Sequence, residues 1–316
     1  MISGGPVLDP AAAAKQAAIV PDYGGGCAAL GVPTGAVHVI GASGRSGLAL
    51  CRALAADGVA VVPVVRDAAK WRAGSVAGAP LVADLTDAAA LRTALAGATH
   101  IVSCAHASFA PAMLAAGPPD ARYVFLGSTR KFTRWPDAHG RGVQAGEAAF
   151  LASGRAGVML HPTMIYGAQG EDNVQRLAAL LRRLPIVPLP GGGRALVQPI
   201  HQDDLTRCIV AALAIAWDGP HGFVVAGPTA LPYADFVRAV ASAARLAPPR
   251  IVAIPAWPMM AAAAITALLP LVPTVRSAEI RRLLEDKAFD IAPMIATLGV
   301  RPMPLADGLL RSFCTG

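Results

Sequence analysis

The sequence predicts an α/β fold, a doubly wound parallel sheet with a smaller C-terminal lobe. Three observations predict it. From residue 36 to about residue 165, short β-branched apolar runs alternate with helical stretches, as in βαβ units with right-handed crossovers. The first run leads directly into a glycine-rich turn and a helical pattern, "VHVIGASGRSGLALCRAL", residues 37–54. After Pro162 the alternation loosens, which marks a second lobe threaded back through the first.

The elements follow in order. Residues 1–35 alternate Ala, Gly and Pro without a sustained period and form an extension, helical around Ala11–Ile19. Ala36–Ile40 is the first strand and Ser46–Asp57 the first helix, stopped by Gly58. Ala60–Val65 is uncharged and valine-rich, the mark of a strand buried on both faces, although Pro63 counts against a central place. Leu81–Ala83, His100–Cys104, Arg122–Leu126 and Gly157–Leu160 are further strands, separated by helices such as Ala88–Ala96 and 137–150. Beyond them come helices at Asn173–Leu184, Asp203–Ala214, Tyr233–Arg245 and Ser277–Lys287, with a short strand at Phe223–Val225. The dinucleotide-binding unit therefore spans 36–165 and is completed by about 195–228, and 166–316 is mainly the C-terminal lobe.

The bulk properties narrow the function. A chain of 316 residues, 54% hydrophobic and 15% charged, buries a substantial core and is not disordered. The net charge of +7 is spread without a basic run, so a small anionic ligand is expected and no nucleic acid. The five cysteines, at 27, 51, 104, 208 and 314, offer no C-x-x-C pair. They read as buried apolar side chains in a reducing, cytoplasmic compartment, with no metal site. The opening MISGGPVLDP lacks the basic start of a secretory signal. Ile251–Val275 carries no charge over 25 residues but is broken by Pro255, Pro258, Pro270 and Pro273. Its longest proline-free piece spans only about 16 Å as a helix, against a bilayer core of about 30 Å. It reads as a buried or interface helix. Residues 251–287 are the expected contact for a partner protein or a second copy, with peripheral membrane contact less favoured.

The turn at 41–47 carries the first chemistry. Gly41 permits the tight turn, Gly44 admits the phosphates to the backbone, and Gly47 lets helix and strand pack closely. Ser43, Arg45 and Ser46 complete the loop, and the helix N-terminus turns its N–H groups toward a pyrophosphate. The end of the second strand selects the dinucleotide. An acidic residue there would take the ribose hydroxyl of NAD; here Arg66 precedes Asp67, and Lys70 follows. Three cations, Arg45, Arg66 and Lys70, favour NADP (NADPH) by bidentate contact with its 2′-phosphate. NAD held by Asp67 is the alternative.

The glycine spacing resembles that of the extended and atypical short-chain dehydrogenase/reductases, including the NAD(P)-dependent epimerases and dehydratases. The resemblance runs from about residue 37 to 310. It implies that Asp84, with Leu85, meets the adenine, and that "VSCA", with Cys104 and Ala105, lies along the cofactor. It implies that "YVFLGST", 123–129, delivers the active-site Ser128 or Thr129. "HPTMIYG", 161–167, with His161, Pro162, Thr163 and Met164, is similar to the segment that lines the nicotinamide side. "VQPIHQDDL", 197–205, resembles a stretch of nucleotide-sugar epimerases.

One departure bears on activity. Active members carry Tyr-x-x-x-Lys on the helix after the fifth strand, where Tyr moves the proton and Lys lowers its pKa and holds the ribose. Registered on Glu147, that helix has His139 at the Tyr position and Val143 at the Lys position, and no Tyr-x-x-x-Lys occurs in the chain. Two classes of function follow. One is an NADP-dependent oxidoreductase or epimerase-like enzyme on a carbonyl or nucleotide-sugar-type small molecule, with Ser128, Thr129, Lys131 and His139 as the candidates for a rearranged site. The other is a dinucleotide-binding protein without catalysis, as in the NADPH-binding accessory subunit of respiratory complex I.

In the second lobe, Gly191–Gly193 with Arg194 reads either as a close approach to a ligand phosphate or as a hairpin turn. His201, Asp203 and Asp204 have metal-ligand chemistry, but an acidic residue just before a periodic run is expected to cap a helix.

Overall fold

The computed structural model describes residues 35–74, 76, 78–167, 173–184, 186–257 and 281–314. The helix expected at Ala11–Ile19 and most of 251–275 lie outside the described residues. The first half alternates as the sequence predicts. The order is β1 (Val37–Ile40), α1 (Arg45–Ala56), β2 (Val61–Val65), α2 (Ala68–Ala73), β3 (Leu81–Val82) and α3 (Ala88–Ala94). It continues with β4 (His100–Ser103), α4 (Ala110–Ala116), β5 (Arg122–Leu126), α5 (Ala138–Ser153) and β6 (Gly157–Pro162). Short 3₁₀ turns at Ala107–Phe109 and Thr129–Phe132 follow β4 and β5.

These strands and β11 (Pro220–Val225) form one parallel sheet of seven, in the order β11-β6-β5-β4-β1-β2-β3. The order reverses at β1 and β4, which opens a crevice outside their carboxyl ends. The inner strands β1, β4, β5 and β6 are buried on both faces, and alternate residues serve different layers. Along β5, Val124 and Leu126 pack with Leu50 and Leu54 of α1, while Tyr123 and Phe125 pack with Met113 of α4 and Phe150 of α5. Pro63 is tolerated inside β2. The carbonyls of Ala60 and Val64 point to β1, so the Pro63 nitrogen faces β3, which pairs only from Val64 onward.

Between β6 and the end of the chain come β7 (Ile165–Tyr166), α6 (Asn173–Leu181), β8 (Ile186–Pro190), β9 (Leu196–Val197), β10 (Ile200–His201) and α7 (Gln202–Ala214). After β11 come β12 (Leu231–Pro232), α8 (Tyr233–Ala243), β13 (Arg250–Ile254), α9 (Ala292–Leu298) and α10 (Leu305–Cys314). α7 and α9 return to cover the sheet beside α1, whereas α6, α8, α10 and β8 enclose a separate core around Val174, Leu189, Phe236 and Val240.

Three local expectations are corrected. Ile251–Ile254 belongs to a strand parallel to β8, not to a helix, because β-branched residues ahead of Pro255 pair readily along β8. The helix expected to reach Lys287 ends at Arg282. Beyond it the backbone is spent elsewhere: Lys287 N–H donates to the Leu196 carbonyl. Gly191–Gly193 is a 3₁₀ turn with all three φ angles positive, and it does not close a hairpin, since β8 pairs with β13 and β9 with β12.

Candidate functional site

At the carboxyl ends of β1, β2 and β4 lies a cleft of about 340 Å³. Its walls include Gly41, Ser43, Gly44, Arg66, Lys70, Asp84, Leu85, Cys104 and Ala105. The glycines are required by space. Gly41 has φ +72, and a Cβ on Gly47 would stand 2.3 Å from the Gly41 carbonyl oxygen. No side chain caps α1 at Gly44, so the helix start presents backbone to the cleft. This backbone cradle, which a Cβ would fill, fits a dinucleotide pyrophosphate.

At the carboxyl end of β2, Asp67 lines the cleft and also caps a helix. Its carboxylate caps α2, accepting from Ala69 N–H at 2.8 Å and Lys70 N–H at 3.3 Å. Asp84 accepts from the Thr86 hydroxyl and backbone N–H, and these bonds together with Arg66 hold its carboxyl below the usual range. Burial pushes the Cys104 thiol up, so it stays protonated. Ser46 Oγ donates to Gln202 Oε1 at 2.9 Å, pinning α1 to α7 rather than facing the cleft.

A second cavity, of about 360 Å³, opens at the carboxyl ends of β5 and β6. Ser128, Thr129, Thr163 and Met164 line one side, and Arg282 and Lys287 the other. Ser128 Oγ accepts from Arg130 N–H at 3.2 Å, a bond that does not use its own proton. Thr129 Oγ1 donates to the Pro162 carbonyl at 3.2 Å, and Thr163 Oγ1 donates to the Gln198 carbonyl at 2.5 Å. Arg130 and Arg282 share the Asp137 carboxylate, at 2.5 and 2.9 Å. Burial works against that carboxyl's charge, but the Gly140 N–H and the two guanidiniums leave its pKa lowered. Burial, with Arg282 and Arg130 nearby, lowers the Lys287 ammonium, whose Nζ donates to the Arg282 carbonyl.

Lys131 and His161 converge on one carboxylate. Lys131 Nζ lies 2.5 Å from Glu147 Oε2, and His161 Nε2 lies 2.8 Å from Oε1. Burial is the largest influence on His161 and lowers it, so the ring is neutral and donates through Nε2. Burial opposes the Glu147 charge, yet these two donors bring its pKa down to about 2. The His161 ring is fully buried and engaged with Glu147. Val143, at the position of the family's lysine, is packed in the core beside Phe125 and Phe150.

His139 stands on the first turn of α5, half-buried, with its ring 4.3 Å from that of His106. In the second lobe, the cap of α7 is His201, whose Nδ1 accepts from Asp203 N–H at 3.2 Å. The two aspartates instead occupy the first turn, because the His201 side chain already fills the capping role. Arg130, Asp137, Arg282, Lys287 and His106 were not legible as site residues. Only Asp137 carried a local signal, that of an N-cap before a helix.

A parallel sheet with a glycine cradle at its reversal point defines a dinucleotide-binding protein of the Rossmann class. Residues 41–134 match a family model described as NAD(P)H-binding. In sequence, no curated protein matches the chain. In structure, the chain is similar to dTDP-glucose 4,6-dehydratase from Streptomyces venezuelae with NAD and TYD bound, at TM-score 0.68 and 17% identity, over 88% of this chain and 96% of that one. It is similar to UDP-glucuronic acid 4-epimerase from Bacillus cereus in complex with UDP-glucuronic acid and NAD, at TM-score 0.67 and 15% identity, over 88% and 98%. The Thermus thermophilus UDP-glucose 4-epimerase complex with NAD gives 0.66 and 18%, over 88% and 98%. The chain thus has an NAD(P)H-binding domain in the fold of the epimerase- and dehydratase-type short-chain dehydrogenase/reductases.

Proposed function

We propose that the protein is an NADP(H)-dependent oxidoreductase, or an epimerase-like enzyme, acting on an alcohol or carbonyl group of a small molecule with an acid/base set that lacks Tyr-x-x-x-Lys. The observation that carries the cofactor preference is the division of labour at the end of β2. Asp67 lines the cleft together with Arg66 and Lys70, but one of its carboxylate oxygens is engaged in the cap of α2. With one oxygen already accepting from two N–H donors, the carboxylate is less available to a ribose hydroxyl, and two cations suit a 2′-phosphate. The bound dinucleotide would supply two-electron redox chemistry. The chain's own contribution is the cradle, the Ser128 hydroxyl at the second cavity, and His139 for the proton.

The similar epimerase structure with UDP-glucuronic acid bound lends support to a substrate in the second cavity. The test is calorimetry with NADPH and NADH, followed by turnover across alcohol, carbonyl and nucleotide-sugar panels. Tighter NADPH binding with turnover supports the reading; equal affinities overturn the cofactor preference. A second reading, dinucleotide binding without catalysis, is favoured by the commitment of Lys131 to Glu147 and by the burial of Val143. Tight NADPH binding with no turnover on any panel would select it.

A further inference from the structure

Nothing in the sequence marks His106, yet its setting is specific. It lies just beyond β4, between Ala105 and Phe109, which both line the dinucleotide cleft. Ser108 N–H donates to its Nδ1 at 3.2 Å, and Ser108 Oγ lies 2.7 Å from the same nitrogen. An acceptor at Nδ1 leaves the proton of the neutral ring on Nε2. The ring meets that of His139 edge to face. Gly142 makes the room, since a Cβ there would stand 2.7 Å from His106 Cε1.

The helix places the pair. His139, Val143 and Glu147 form one i, i+4 row on α5. Glu147 reaches His161 of β6, and Val143 is buried against the sheet. As a crossover between parallel strands, α5 runs antiparallel to them. Its first turn, with His139, therefore stands at the carboxyl edge, where both cavities open.

We infer that His106 is a positioning residue that holds His139 as the proton acceptor when an alcohol is oxidised at this site. The inference rests on the oxidoreductase reading above. In the step, the alcohol O–H bond breaks and its proton passes to an imidazole nitrogen of His139. The carbinol C–H bond breaks with its electron pair, which the oxidised nicotinamide dinucleotide accepts, and the O–H electron pair becomes the new C=O bond. A base is required, not an acid, and the surroundings of His139 supply one. Burial lowers its pKa first, then His106 and Arg130, with Arg282 adding to them and Asp137 opposing. A positive charge on one ring disfavours a second on its neighbour, because like charges repel. Asp137, the group that would favour a cation, is already shared by Arg130 and Arg282.

The test uses the full chain labelled at histidine, titrated by NMR with and without NADP⁺, as wild type, His106→Gln, His106→Phe and His139→Gln. His139 is expected to titrate below 6.5, the ordinary imidazole value, with His106 as the Nε2–H tautomer. Both His106 variants should move the His139 midpoint upward, and the acid limb of the pH–rate profile should move with it to higher pH. His139→Gln should lose at least about 100-fold in alcohol oxidation with NADP⁺ affinity unchanged. A wild-type His139 midpoint at or above the ordinary value, or one indifferent to His106, overturns the pair even if the enzyme is active. The two His106 variants carry the comparison independently, so either one that folds decides whether the midpoint depends on His106. A pair that titrates as stated in a protein that oxidises no alcohol overturns the acceptor role and, with it, the oxidoreductase reading.

Discussion

Lys131 Nζ sits 2.5 Å from both carboxylate oxygens of Glu147 and lines neither cavity. The ammonium that the sequence offered as a catalytic candidate is committed to a part-buried acid. Removing it leaves Glu147 with His161 alone. Lys131→Ala is expected to cost about 1.5–3 kcal/mol of stability, the loss of a hydrogen bond between charged groups. Denaturant unfolding checks this. A loss of turnover without a loss of stability would return Lys131 to the chemistry.

The same carboxylate sets a pH dependence. The Glu147 pKa falls from 4.5 to about 2 on folding, so its stabilisation is complete above the unfolded value. It is lost as pH falls through that interval. Unfolding midpoints between pH 5 and pH 2 should decline more steeply for the wild type than for Glu147→Gln, which has already lost the charge.

Arg66→Ala should weaken NADPH binding roughly 10- to 100-fold, the loss of a charged hydrogen-bonding contact of about 1.5–3 kcal/mol. NADH binding should change little. Calorimetry reads both, and a variant that keeps the preference would remove Arg66 from cofactor selection.

Gly47→Ala tests the cradle. Its Cβ would also come within 2.9 Å of Ala42 Cα. Since both obstacles are backbone, the loop must shift at about 1–3 kcal/mol. Dinucleotide affinity should fall together with the melting temperature.

Asp203 and Asp204 should separate cleanly. The Asp204 carboxylate is buried, paired with Arg207, and accepts from Met303 N–H at 2.9 Å. The Asp203 side chain is 57% exposed, with ion-pair contacts of 3.4 Å and 3.7 Å. Asp204→Ala is expected to cost about 3–5 kcal/mol, and Asp203→Ala under about 0.5 kcal/mol. Comparable losses from the two would contradict this assignment.

Much of the first half was legible because its signals are local. Runs of Val and Ile bounded by glycine mark β1 and β2 whatever they pack against, and a cradle of three glycines needs only its own backbone. β13 was not legible. Its strand state depends on β8, 64 positions earlier by register from Arg250 to Ile186, and an uncharged run looks the same as helix or strand until a partner edge is present. The cap of α7 was misplaced for a related reason: Asp203 and Asp204 carry the stronger propensity, but in the folded chain His201, at the end of β10, holds the capping position.

By itself the sequence determined the α/β class, the strand order's starting motif and the dinucleotide cradle, since hydrophobic period and glycine freedom act over a few residues. It also determined that the usual tyrosine and lysine are missing. Only the tertiary structure decided what became of the remaining polar groups. It gave Lys131 and His161 to Glu147, engaged Asp67 in a helix cap, and set His106 against His139. The physical reason is that a side chain's role follows from its partners and its burial. Those partners lie 16 residues away for Lys131 and Glu147 and 145 for Arg282 and Asp137, separations that only the folded chain closes.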